Sequence, residues 1–323
     1  MTARENIAFL FPGQGSQRVG MGKELAALYP EAQETFEQAD SALGYKLSQV
    51  CFEGPESQLK LTEITQPAIL TISIAVLRVL RRNGIQAGCA AGHSLGEYAA
   101  HVAAGTMSFP DAVRLVRNRG KYMQEAVPVG IGAMAAVLGL PLAKLEKICV
   151  EAAQGQICAP ANINSPDQVV ISGHTEAVQR AAELAREHGA KRVVLLPVSA
   201  PFHCALLQPA QKRLAYDLSR LQLYPMEIPV VSNVDAAFLS SPEDARDALT
   251  RQITGAVQWT KSMRALIGHG VETFIEVGPG KVLCGLMRQI DPSKTCLNVE
   301  DEASLLAAVS QLRRAEAAAA SGP

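Results

Sequence analysis

The run CAAGHSLGEYAAHVAAG, residues 89–105, sets one serine between two glycines, in the order Gly92, His93, Ser94, Leu95, Gly96. A Gly-x-Ser-x-Gly turn can carry a strained strand-to-helix elbow that pushes the serine hydroxyl out of the backbone. Backbone N–H groups at the start of the helix that follows would then face the negative charge developing on an attacked carbonyl oxygen. The chemistry indicated is acyl transfer through a serine ester. The same residues also suit a serine that simply caps a helix after a glycine-rich turn.

Two other glycine-rich stretches compete for attention. GQGSQR, residues 13–18, has Arg18 where a dinucleotide fingerprint needs its third glycine. EVGPGKV, residues 276–282, follows Ile275 where a phosphate loop needs its first glycine, and Val282 follows its lysine. Neither pattern predicts a nucleotide site. The second reads as a tight turn after a strand. The first ends a predicted strand, where open α/β sheets place their ligands, and its backbone amides are available. Seven cysteines, an odd number with no C-x-x-C pair, suit reduced thiols. The six histidines show no zinc-ligand spacing, and His203 beside Cys204 is not a site by itself, so no metal is expected.

Arg119 is informative by position. Between 109 and 126, Ala112, Leu115, Val116, Arg119 and Met123 follow three-and-four spacing, while Arg114, Asn118, Lys121 and Glu125 fall on the other face. An arginine on a buried stripe needs an anion or a set of acceptors, because an unpaired interior charge is very costly. A structural ion pair and a bound anionic ligand both satisfy that need.

The elements that must position these residues follow from patterning. The chain has 323 residues, 48% of them hydrophobic, enough for a large core. A net charge of −1 supplies no broad basic field, so nucleic acid is not an expected partner. The apolar run Ala68–Leu80 contains Arg78 and is short for a membrane span, so it predicts a buried helix. The start MTARENIAFLF lacks the features of a signal peptide, which leads to the expectation of a cytoplasmic protein without a membrane partner. Alternating strand and helix patterns predict an α/β protein: a strand at NIAFLF, a long helical stretch to about Leu43, a helix over 66–82, a strand at GCAAG and a helix over 109–126. From Ile131 to Val198 the order β-α-β-β-α-β predicts a ferredoxin-like inserted subdomain at 127–199, between the VPVG and PVSAP turns. Residues 1–126 and 200–323 form the larger part, with two further strands at EIPVVSN and VETFIEV and a C-terminal AEAAAASGP expected to fray.

Five segments together resemble the malonyl-CoA:acyl-carrier-protein transacylases: FPGQGSQ (11–17), GHSLGEY (92–98), RGKYMQEAVP (119–128), PFHCALL (201–207) and EVGPGKVL (276–283). They span nearly the whole chain. The resemblance implies an α/β-hydrolase-like large subdomain with a ferredoxin-like insertion. It implies Ser94 as the acylated nucleophile, His203 as general base, and the main-chain carbonyl of Gln252 as the group that orients the base. Backbone N–H groups of Gln14 and Leu95 become the oxyanion hole, and Arg119 the fork that binds the free carboxylate of malonyl. Gln66 matches a pocket residue, although a polar residue early in a helix would look the same. Phe202 matches a position where a large aromatic accompanies malonyl selection; packing of the loop is the plainer role. His93 supports the turn.

The activity implied is transfer of malonyl from malonyl-CoA to the phosphopantetheine thiol of an acyl carrier protein, with no bound cofactor, in a monomer. An acidic carrier suggests a local basic patch, for which Lys191 and Arg192 are candidates, though charge that guards a strand edge explains them better. Three alternatives stay open on the residues. A malonyltransferase serving a polyketide assembly line would share every motif. A serine carboxylesterase would pair Ser94 with His269 and Asp235 but leave Arg119 unexplained. A binding module would not be acylated at all.

Overall fold

The computed structural model describes residues 5–198 and 200–320. In chain order its strands are β1 (Ile7–Phe11), β2 (Cys89–Gly92), β3 (Gly132–Leu138), β4 (Cys158–Ser165), β5 (Gln168–His174), β6 (Arg192–Leu195), β7 (Val230–Val231), β8 (Thr273–Val277) and β9 (Thr295–Val299). They form two sheets, one parallel with order β7-β2-β1-β8-β9 and one antiparallel with order β4-β5-β3-β6. The fold is mixed α/β, and the chain divides into two compact units.

The first unit comprises residues 1–117, 223–231 and 266–323 and holds the parallel sheet. β1, the sequence IAFLF, is buried at all five positions, the continuous apolar texture expected of a parallel strand covered on both faces. The helix Thr62–Arg82 packs on the helices Pro30–Leu43 and Gly96–Ala103 and on β8. By length and composition it could cross a membrane, yet 89% of its most apolar window is buried inside the protein. It starts four residues before the predicted 66 and carries Pro67 within it.

Three expectations are corrected here. The stretch to Leu43 is two helices, Lys23–Leu28 and Pro30–Leu43, because Tyr29 is extended (φ −125°, ψ 115°) and Pro30 opens the second. A proline disfavours helical backbone at the residue before it and suits a first helical position. Besides the two strands expected late in the chain, β9 pairs in parallel with β8 at the sheet edge, a short half-exposed segment without clear alternation. The helix Glu302–Ala320 continues through the alanine-rich end, and Ser321–Pro323 of the segment expected to fray lie outside the described residues.

The second unit comprises residues 118–222 and 232–265. Its sheet is built in the order β3, helix Leu142–Ala153, β4, β5, helix Thr175–Glu187, β6. Leu145, Ile148, Cys149, Val178, Ala181 and Ala185 from the two helices pack against Ala135, Val137, Val169 and Ile171 of the sheet. Residue 257 lies along β4 through the hydrogen bonds Ile163 N–H to Val257 O and Val257 N–H to Ala161 O, both 2.8 Å. That tie anchors the chain just after the helix Pro242–Arg251, which carries Gln252 at its C-terminal end.

Candidate active site

In the first unit the register of β1 against β2 sets Phe11 opposite Gly92, so both strands release their loops at the same level. His93 N–H donates to the Phe11 carbonyl at 2.9 Å, locking the loop after β2 to the end of β1. The elbow leaves no room for side chains: a Cβ on Gly92 would lie 1.9 Å from the Gly96 carbonyl, and one on Gly96 would lie 2.0 Å from the Phe11 oxygen. Ser94 itself has φ 52°, the left-handed region, at a cost of about 1–3 kcal/mol that the surrounding packing must offset. The helix Gly96–Ala103 begins directly after it with Leu95 as its N-cap, 1% exposed. N–H groups at such a helix start have no partner within the helix and carry partial positive charge.

The loop after β1 runs beside this elbow. A Cβ on Gly13 would meet the His93 oxygen at 2.6 Å, and Ser16 Oγ donates back to the Gly13 carbonyl at 2.7 Å. Gln14, between them, is exposed in a turn. Gln66 lies 1% exposed in the helix Thr62–Arg82. The first unit therefore gathers the serine elbow and the Pro12–Gln17 loop at the C-terminal end of neighbouring parallel strands, where α/β sheets carry their sites.

The second unit holds the other candidates. His203, 3% exposed, also has a left-handed backbone, φ 60°. Among the described residues only four non-glycine positions do so, and Ser94 and His203 are two of them. His203 Nδ1 lies 2.8 Å from the main-chain oxygen of Gln252. A carbonyl can only accept, so Nδ1 carries the proton and Nε2 keeps the lone pair, the arrangement a general base requires. Phe202, beside it, is buried. Pro201 packs so closely on the start of β3 that a Cβ on Gly132 would meet its ring at 2.3 Å.

Arg119 is 1% exposed, on the stripe its spacing predicts, with Met123 also buried and Lys121 and Glu125 exposed. Its Nη2 donates to the side-chain oxygen of Gln252 at 2.9 Å. Gln252, fully buried, thus holds the histidine with its main chain and the arginine with its side chain. The sequence reading assigned only the first of these contacts; the second carries no sequence signature, because a glutamine after a helix is ordinary. Asp235, the acid of the esterase alternative, is held by Arg251 through two hydrogen bonds of 2.9 and 2.8 Å, which keeps its carboxyl below the usual range. His269 is exposed.

Sequence reading also passed over Glu276. It ends β8 fully buried and accepts the N–H groups of Leu283 and Cys284 at 3.0 and 2.8 Å, capping the helix Val282–Ile290 across the Gly278–Gly280 turn. Burial pushes its carboxyl up to about 7, against the pull of those hydrogen bonds. A lone acid within the buried strand TFIEV was the available signal. Of the two basic candidates for docking, Lys191 pairs with Asp167 at 3.4 Å, and Arg192 opens the edge strand β6.

Residues 8–318 match the acyl transferase domain family, and the chain belongs to it. It is 51% identical over 304 residues to the malonyl CoA-acyl carrier protein transacylase of Escherichia coli (strain K12), an alignment covering 94% of this chain and 98% of that one. The malonyl CoA-acyl carrier protein transacylase of Coxiella burnetii superposes with a TM-score of 0.94 at 45% identity, covering 97% of this chain and 99% of that one. A malonyl-transacylase solved in complex with its type II PKS acyl-carrier protein gives a TM-score of 0.93 at 45% identity, over 95% of this chain and all of that one.

Proposed function

We propose that this chain is a malonyl-CoA:acyl-carrier-protein transacylase that supplies malonyl units for fatty-acid synthesis. The observation that carries the reading is Gln252, which holds a buried histidine through its main chain and a buried arginine through its side chain. A base and a cation fixed by one residue suit a substrate whose reactive carbonyl and free carboxylate lie a few bonds apart, as they do in malonyl.

His203 Nε2 takes the Ser94 hydroxyl proton as the oxygen attacks the thioester carbonyl of malonyl-CoA, help worth roughly 10²–10⁴ in rate. The N–H groups of Gln14 and Leu95 hold the oxyanion, each donor worth roughly 10²–10³. The tetrahedral intermediate collapses, the C–S bond breaks, and protonated His203 returns its proton to the CoA sulfur. A malonyl-serine ester remains, its carboxylate on the Arg119 guanidinium. The phosphopantetheine thiol of the carrier then gives its proton to His203 and attacks the ester; the acyl C–O bond to Ser94 breaks, His203 returns the proton to the serine oxygen, and the malonyl thioester leaves. Gln66 and Phe202 are assigned to acyl binding, and no bound cofactor takes part. Committed contacts at Asp235 argue against the esterase alternative.

We further read the chain as a cytoplasmic monomer with an α/β-hydrolase-like part at 1–126 and 200–323 and a ferredoxin-like insertion at 127–199. The β-α-β-β-α-β order with sheet order β4-β5-β3-β6 supports that division. The test is sequential intact-mass measurement: incubation with malonyl-CoA adds one malonyl group to the protein, and later addition of holo carrier protein moves that group to the carrier. Carriers of fatty-acid and polyketide type are compared in the second step. Retention of malonyl on the enzyme with either carrier, or its release only as free malonate, contradicts the assignment.

A further inference from the structure

The first unit brings two thiols together away from the serine elbow. Cys284 lies in the first turn of the helix Val282–Ile290 and Cys296 on the edge strand β9. Their sulfurs are in direct contact, and Cys284 S–H donates to the Leu297 carbonyl at 3.3 Å. Neither is bonded to another cysteine. Two sulfurs so placed need almost no backbone movement to join, which is the geometric condition most cysteine pairs fail. Cys284 is 5% exposed, whereas Cys296 is half-buried on an edge strand, so a small oxidant in solvent reaches Cys296 first.

We propose that Cys284 and Cys296 are a dithiol modification site that hydrogen peroxide converts reversibly into a disulfide. Cys296, having given its proton to solvent, attacks one peroxide oxygen as thiolate; the O–O bond breaks, leaving a sulfenic acid at Cys296 and a hydroxide that takes a proton back from solvent to become one water. Cys284 sulfur then attacks the sulfenic sulfur, the S–O bond breaks, and a second water leaves carrying the Cys284 proton. Overall two thiols lose two electrons and two protons, and one peroxide becomes two waters. The bond ties the helix that Glu276 caps, which forms the crossover from β8 to β9, to β9 itself. Because a resolving thiol is already in contact, Cys296 passes to the disulfide faster than a second peroxide can take it to sulfinic acid.

The second unit has its own neighbouring cysteines, Cys149 and Cys158, so total oxidation is not a sufficient readout. The experiment treats the full-length reduced protein with graded hydrogen peroxide, blocks remaining thiols and maps peptides without reduction. The expected result is a linked Cys284–Cys296 peptide, lighter than its two reduced parts by two hydrogens, formed before any sulfinic acid at Cys296 and lost on treatment with dithiothreitol. Cys296→Ser and Cys284→Ser each remove that species, and malonyl loading by each variant reports that it has folded. Accumulation of sulfinic or sulfonic acid at Cys296 in the wild type without the linked peptide would overturn the proposal. So would a Cys284 thiol that remains alkylatable after Cys296 is consumed. Malonyl loading of untreated wild-type protein tests the transacylase reading separately.

Discussion

At the scale of single residues, the site divides into positions the sequence announces and positions it hides. Ser94 announces itself through the glycines it needs, since neither Gly92 nor Gly96 has room for a Cβ. Arg119 announces itself by lying on an apolar stripe, and the structure buries it there. The left-handed backbone of His203 has no such mark, because a histidine at φ 60° is written like any other histidine. For Arg119 the expected outcome is selective: Arg119→Ala lowers malonyl loading of Ser94 by roughly 10²-fold, in keeping with the 2–5 kcal/mol typical of a buried charge pair, and leaves acetyl loading nearly unchanged. Equal losses with acetyl-CoA and malonyl-CoA would make the arginine a structural member only. Phe202 occupies a buried position next to His203, the proposed base. Phe202→Ser is expected to narrow the preference for malonyl-CoA over methylmalonyl-CoA by about 1–3 kcal/mol, a methyl group's worth, read from the two acyl-enzyme masses in direct competition. An unchanged ratio in a folded variant would leave the ring as packing.

Among the elements, regular patterns were legible and interruptions were not. The helix Phe109–Ala126 and the β-α-β-β-α-β run follow from periodicity, because their buried positions recur at regular spacing. Strand β9 escaped because a five-residue edge strand that is mostly half-exposed has no such period, and the break at Tyr29 was masked by helical composition on both sides. The turn EVGPGKVL depends on an acid rather than on its glycines alone, and this gives a pH signature. Glu276 has its carboxyl raised from 4.5 to about 7 by burial. Below 4.5 both folded and unfolded chains hold the proton. As pH rises from there the unfolded chain ionises first, so this group lowers stability until about pH 7, by at most about 1.4 kcal/mol per pH unit. Glu276→Gln removes that slope while adding a constant penalty of about 1–3 kcal/mol, since one amide oxygen replaces two carboxylate acceptors. Urea unfolding at pH 5 and 7 checks it: the wild type should lose more stability across this interval than the variant, and parallel losses would contradict the proton assignment.

For the molecule as a whole, a net charge of −1 and 48% hydrophobic residues describe a large-cored protein without a nucleic-acid field, but they say nothing of chemistry. The proposed chemistry assigns roles to a few residues, of which Ser94, Leu95 and Gln14 fall in the first unit and His203, Arg119 and Gln252 in the second. No stretch of sequence shows two distant segments acting together; five motifs in family order suggested it, and the Gln252 contacts give the second unit's share a physical form. The central claim is that Ser94 carries the malonyl group between two thioesters. It is tested most directly by intact mass of the wild type and Ser94→Ala after brief exposure to malonyl-CoA, with the acid-quenched wild type digested to locate the adduct. The account predicts one malonyl group on the wild type, confined to the peptide containing Ser94, and none on a folded Ser94→Ala protein; a malonyl group of equal yield on the variant would contradict it.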